Sequence, residues 1–227
     1  MEYEEALPPY LVPHSQEDIV VLYQDDDLLL VNKPAFLLSV PGRHPLNQDS
    51  LIRRLAGLFP EVEAVHRLDL DTSGVMIVPK HKKALGHIAR QFQERTIDKE
   101  YRALVWGDVA NPTGEIDLPI ARDWENRPRQ KICPESGKPS LTRYTVLAKR
   151  PGRTLLQLNP VTGRSHQLRI HLRELGHPII GCDMYAHPEA LAASPRLLLH
   201  ATKIAFTHPR SGMRLYAFCP APFDVTS

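Results

Sequence analysis

Strand-like patterning runs through most of this chain, interrupted by three helical stretches and never settling into regular strand–helix–strand alternation. That organisation argues for an α+β fold. In "DIVVLYQDDDLLLVNKP", two apolar runs, Ile19 to Tyr23 and Leu28 to Val31, flank an acidic turn and predict a strand–turn–strand unit. "GVMIVPK" reads as a short strand, and "KEYRALVWG", Lys99 to Gly107, alternates like a strand half-buried in a sheet. "YTVLAKRPGRTLLQLNP" predicts a hairpin around Pro151 and Gly152, and the last strands meet at Pro209 to Gly212.

The helices carry their own signals. Asp49 or Ser50 can cap a short helix with Leu51, Ile52, Leu55 and Leu58 on one face, and Pro60 marks its end. From His81 to Gln93, Leu85, Ile88, Ala89 and Phe92 fall on one face, with Lys82, Lys83, His87 and Arg90 largely opposite. "TGRSHQLRIHLRELG" opens with a tight turn and becomes a helix with Leu168, Leu172 and Leu175 inward and Gly176 as its stop.

A length of 227 residues suits one large domain or two small ones. Twenty-eight basic against 26 acidic residues leave a net charge of +2, so a nucleic-acid partner has to be argued from local clustering. Cys133, Cys182 and Cys219 are odd in number and in no C-x-x-C spacing, which disfavours a disulfide framework and fits a reducing cytoplasm. The acidic, proline-containing first residues do not read as a signal peptide, and no apolar run reaches the length of a membrane span.

The chemistry centres on "VHRLDLDTSGVMIVPK", where Asp69 and Asp71 stand one residue apart. A phosphatase D-x-D follows an apolar strand, whereas here the strand comes afterwards, at Val75. Glycoside hydrolysis needs two carboxyls facing each other across the scissile bond, which near neighbours on one segment do not supply. His66 and Asp69 gain no further metal ligands, because His166 and His171 do not share a helix face. On its own, Asp69 reads as a turn cap or a partner of Arg67.

Its company changes that. "HRLDLDTSG" resembles the H-R-L-D-x-x-T-S-G signature of the RluA family of pseudouridine synthases. "VNKPAFLLSVPG", "KEYRALVWG", "PVTGRSHQLRIHLRELGHPIIGCDMY" and "RLLLHA" resemble further motifs of that family, in order, from about Ile19 to Pro220. Ala35 stands where the family often has glycine. The resemblance implies a mixed, mainly antiparallel sheet with flanking helices and a central active-site cleft. It divides the chain into an N-terminal arm over 1–18 and a single catalytic domain over 19–221, with no room before Ile19 for an S4-type RNA-binding module. It implies isomerisation of uridine in structured RNA, with large-subunit rRNA and tRNA anticodon stem-loops as partners. No cofactor and no metal are implied, and the default is a monomer. The alternative is a non-catalytic RNA-binding or remodelling protein on the same fold.

Within that resemblance Asp69 is the nucleophilic carboxylate, and Asp71 is a solvent-facing neighbour at a variable position. A guanidinium must keep Asp69 ionised in a closed pocket; Arg164 is the first candidate, with Arg169 as its substitute or as an RNA contact. Tyr101 lies against the flipped uracil and can help remove its C5 proton. Arg67 fills the space the base vacates, and His66 braces the loop or touches phosphate. Thr72, Ser73 and Gly74 cap and turn the loop into its strand. "ARDWENRPRQKICPESGKPSLTR" adds a basic excursion around Trp124, in which Arg129 and Lys131 are candidate phosphate contacts alongside Arg122, Arg127, Lys138 and Arg143. Lys82, Lys83, His87, Arg90 and Arg95 form a second, weaker candidate surface.

Overall fold

The structure is a computed structural model, and it describes residues 11–13 and 15–227. Most of the arm expected over 1–18, namely 1–10 and 14, therefore lies outside the described residues.

The chain opens with β1 (Val20–Gln24), β2 (Leu28–Lys33) and helix α1 (Leu51–Ala56). Then come β3 (Ser73–Pro79), α2 (Lys82–Glu94) and β4 (Asp98–Trp106). Three short strands, β5 (Thr113–Asp117), β6 (Ile120–Arg122) and β7 (Gln130–Ile132), lead to the long hairpin of β8 (Leu141–Arg150) and β9 (Arg153–Pro160). Helices α3 (Gln167–Glu174) and α4 (Pro188–Ala192) precede the closing strands β10 (Leu199–Thr207) and β11 (Arg214–Phe218). Nine strands form one sheet in the order β1-β2-β3-β10-β4-β9-β8-β5, with β11 paired to β10. β6 and β7 make a separate hairpin. The α+β expectation holds, with a mainly antiparallel sheet.

β10 joins the two halves. It pairs antiparallel with β4 and, through His200–Ser73 and Ala201–Gly74, parallel with β3. Gly74 makes this contact possible: its φ is +120°, and a Cβ there would lie 2.3 Å from the Ala201 carbonyl oxygen. The glycine of the motif thus permits a close strand approach, where the sequence suggested a cap and turn. Behind it, Ser73 Oγ meets His200 Nδ1 at 2.8 Å, and burial pushes the His200 imidazole down to about 4.

Apolar side chains fill both faces. Leu28, Leu30, Ile77, Ile88 and Phe206 pack under α2, while Leu29, Val31, Met76 and Leu51 pack under α1. Leu156, Leu158, Leu168 and Leu172 bring α3 onto β9. Ser50 is the cap of α1, accepting from the Arg53 N–H, whereas Asp49 pairs with Arg54. Leu58 lies beyond α1 and is exposed, so it is no part of the predicted face. In α2 the fully buried positions are Ala84, Ile88 and Gln91, one step round from the predicted stripe. Gln91 tolerates burial because its amide bonds both the N–H and the C=O of Thr207.

Candidate active site

Asp69 sits in a loop that enters β3, and both of its neighbours are anchored. Ser39 Oγ donates to the Leu68 carbonyl at 2.7 Å and accepts the Leu68 N–H at 3.1 Å. The Leu70 carbonyl accepts from Lys33 Nζ at 3.3 Å. Lys33 is fully buried and also donates to the Pro34 and Leu37 carbonyls at 2.8 and 2.7 Å. Burial pushes its ammonium down to about 7, against the pull of Asp69 and Asp71. Asp69 is thus presented by a backbone whose carbonyls on either side are held, one by Lys33 of β2 and the other by Ser39 in the loop after it.

His66 binds β3 and does not line the cleft. Its Nε2 accepts the Ile77 N–H at 2.9 Å and its ring lies 4.8 Å from Phe92. Burial, helped by the charge of Lys99, pushes it down to about 3, so it is neutral.

A cleft of about 110 Å³ opens at Asp69. Arg67, Asp69, Tyr101, Arg164 and Arg169 all line it, so residues about a hundred positions apart in the chain converge. His66, Arg129 and Lys131 are not among its lining residues.

The cation beside Asp69 is Arg169. Its Nη1 lies 3.9 Å from Asp69 Oδ2 and 3.7 Å from Asp71 Oδ2, and its Nη2 pairs with Asp183. The side chain is 1% exposed, and Nε donates to Cys182 Sγ at 3.3 Å. Burial opposes its charge, and Cys182, Asp69 and Asp183 outweigh that and hold it above the usual arginine value. Arg164, the first candidate from sequence, points elsewhere: its Nε and Nη2 donate to the Pro139 carbonyl, each at 3.3 Å. The reason is helical spacing. Arg169 projects from within α3, whereas Arg164 lies in the turn before it, whose N–H is held by Gln167 Oε1.

Asp71 is also corrected. It is not solvent-facing: its side chain is 14% exposed and stands against Arg169. Burial pushes its carboxyl up, with Arg169 opposing. Asp69, at 32% exposure, is the carboxylate that lines the cleft.

Tyr101 comes from β4, and its ring touches the apolar clusters on both sides. Burial and the nearby Asp69 charge push its phenol above the ordinary value. A neutral phenol suits contact with a base; removing a proton from that base requires ionising the phenol beside an anion.

Three contributors, Tyr185, Asp183 and Lys33, had no role assigned from sequence. Tyr185 accepts the Gln130 N–H at 2.8 Å through its hydroxyl, which lies 2.8 Å from His166 Nδ1. Its ring faces the Arg169 guanidinium at 5.6 Å. It therefore ties the β6–β7 hairpin to the cleft. Asp183 and Tyr185 belong to "GCDMY", and Lys33 to "VNKP"; both segments matched the family without revealing what these side chains do.

The basic excursion contains that hairpin. Trp124 is 60% exposed, with the Arg127 and Arg122 guanidinium carbons 4.3 and 5.5 Å from its ring centre. Arg129 and Lys131 are exposed on the same hairpin. Among the described residues, one group could gather metal-ligand atoms: Asp25, Asp27 and His208. These atoms are committed to one another and to protein donors. His208 Nε2 meets Asp25 at 2.8 Å, its Nδ1 accepts the Arg210 and Ser211 N–H groups, and Arg210 pairs with Asp27.

A sequence profile described as RNA pseudouridylate synthase matches residues 27–174. The dual-specificity RNA pseudouridine synthase RluA of Yersinia pestis is 50% identical over 90% of this chain and 100% of its own length. The protein of the same name from Escherichia coli K12 is 49% identical over 93% of this chain and 97% of its own. Among solved structures, human RNA pseudouridylate synthase domain containing 1 superposes with a TM-score of 0.80 at 32% identity, covering 94% of this chain and 88% of that one. Human RNA pseudouridylate synthase domain containing 4 gives 0.72 at 25% identity, covering 91% and 90%.

Proposed function

The chain belongs to the RNA pseudouridylate synthase family, and from that premise we propose that it isomerises uridines in both large-subunit rRNA and tRNA anticodon stem-loops, with Asp69 as the working carboxylate. The observation that carries this reading is the cleft in which Asp69, paired with buried Arg169, meets Tyr101. The dual specificity rests on the relatives' name alone.

Pseudouridine formation breaks the bond from N1 of uracil to the ribose and makes one from C5. A proton leaves C5 and N1 acquires one, so nothing is oxidised. Asp69 stabilises or attacks the sugar carbon as the first bond weakens. Arg169 sets a positive charge beside Asp69 as the carboxylate works on the sugar. Tyr101 lies against the rotating base. Arg67, exposed beside Asp69, takes the space the flipped uridine leaves. The Trp124 hairpin, with Arg129 and Lys131, grips the phosphate backbone. The described residues contain no helix long and apolar enough to cross a membrane. We place the enzyme in the cytoplasm as a monomeric catalytic domain over 19–221.

Tritium release from RNA labelled at C5 of uridine tests the reading, with rRNA fragments and tRNA transcripts offered separately. Release from both is expected. Release from one alone contradicts dual specificity, and release from neither contradicts the proposed substrates.

A further inference from the structure

A second groove, of about 300 Å³, adjoins the catalytic cleft and shares Lys99, Thr162, Gly163 and Arg164 with it. Arg95, Lys99 and Arg164 line it, and no acidic residue does. None of the three makes an ion pair with a carboxylate among the described residues: Lys99 Nζ donates to the Thr162 carbonyl at 3.3 Å, and Arg164 to Pro139. Lys99 is half-buried, and burial together with the charge of Arg95 pushes it down to about 8. A cation withdrawn from water without a counter-charge is costly unless a ligand supplies one.

The backbone points the same way. Arg95 closes α2 with φ +58°, a left-handed position that helices ordinarily give to glycine or asparagine. An arginine there accepts backbone strain that a glycine avoids, and it places a guanidinium at the mouth of the groove. Gly163 lies against this ammonium: a Cβ built there would stand 3.6 Å from Lys99 Nζ, an ordinary contact.

We infer that Arg95, Lys99 and Arg164 form a phosphodiester subsite, which holds the RNA backbone next to the uridine in the catalytic cleft. The inference rests on the proposed RNA activity and extends it. Phosphate oxygens supply the missing negative charge, and the groove's continuity with the cleft sets the position of the strand relative to Asp69. Contact is with backbone and not with a base edge, so the subsite acts on every substrate alike.

The test uses the full chain carrying Asp69→Asn to prevent turnover, a tRNA anticodon stem-loop, and variants Arg95→Gly, Lys99→Met and Arg164→Ala. Each variant is expected to weaken RNA binding about tenfold at moderate salt and to lower the salt slope by about one. Arg95→Gly is the decisive one for folding, since glycine suits the left-handed backbone and its melting temperature should hold or rise. Lys149→Ala, on an exposed end of β8, should bind as the parent does. Replacing single phosphates by neutral methylphosphonates should then find one phosphate, beside the target uridine, whose loss weakens the parent but not Lys99→Met. If no phosphate couples to Lys99, or if Arg95→Gly binds with the parent's salt slope, the subsite is overturned. The binding readout is separate from tritium release, so failure of turnover and failure of the subsite are distinguished.

Discussion

The Arg169 guanidinium stands 3.9 Å from Asp69 while Asp183 fixes its far edge. A cation held from two sides cannot drift from the cleft, and it gives Asp69 a permanent counter-charge. Arg169→Met should therefore lower kcat about a hundredfold or more, because the loss falls on the reacting carboxylate. Arg164→Ala should raise KM and leave kcat within about threefold. Steady-state kinetics on one stem-loop separates the two, and the reverse ranking would restore Arg164 as the partner of Asp69.

Lys33 holds three carbonyls, including Leu70 between the two aspartates. Lys33→Met keeps the volume but strands those acceptors, each at a cost of about 1–3 kcal/mol. At about 2–4 °C per kcal/mol for a chain of this size, a melting temperature lower by at least about 6 °C is expected. Urea unfolding with an unchanged midpoint would show that the carbonyls find other donors.

Gly74 and Ala201 are too close for any side chain. Gly74→Ala should cost about 3 kcal/mol or more, by combining a forbidden backbone angle with an atomic overlap. Soluble yield and the thermal midpoint report it, and near-parental stability would mean that β3 and β10 can separate without loss.

Acid stability follows from His66 and His200, pushed down to about 3 and about 4. The unfolded chain takes up protons at these histidines below pH of about 6.5, while the folded chain refuses them. Their contribution is therefore full above that pH and is lost as pH falls toward 4 and 3. His66→Gln should flatten part of the decline between pH 6.5 and 4, measured by urea unfolding at each pH. An unchanged slope would place the decline on other groups.

What the sequence shows depends on which physics writes it. Strand alternation marked β4 and the β8–β9 hairpin because half-buried strands must alternate, and the Asp69, Tyr101 and Arg67 positions came from motif order. The choice between Arg164 and Arg169 was not legible, since it depends on where α3 begins and which way one turn faces. Gln91 was not among the inward positions read for α2, because its backbone partner, Thr207, is 116 residues away. Asp71 was read as solvent-facing from its variable position in the motif, and the arginine that stands against it lies in α3, far along the chain. Tyr185 and Asp183 stood inside a recognised segment, and only the folded arrangement gives them partners.

The central claim is that one carboxylate of the two does the chemistry. Asp69→Asn and Asp71→Asn should be compared by tritium release on the same RNA, with melting temperatures in parallel. Asp69→Asn should abolish release, by at least about a thousandfold, with the fold intact. Asp71→Asn should lose no more than about tenfold, since Arg169 keeps Asp69 and Asp183. Equal loss in both, or residual turnover by Asp69→Asn, would contradict the account.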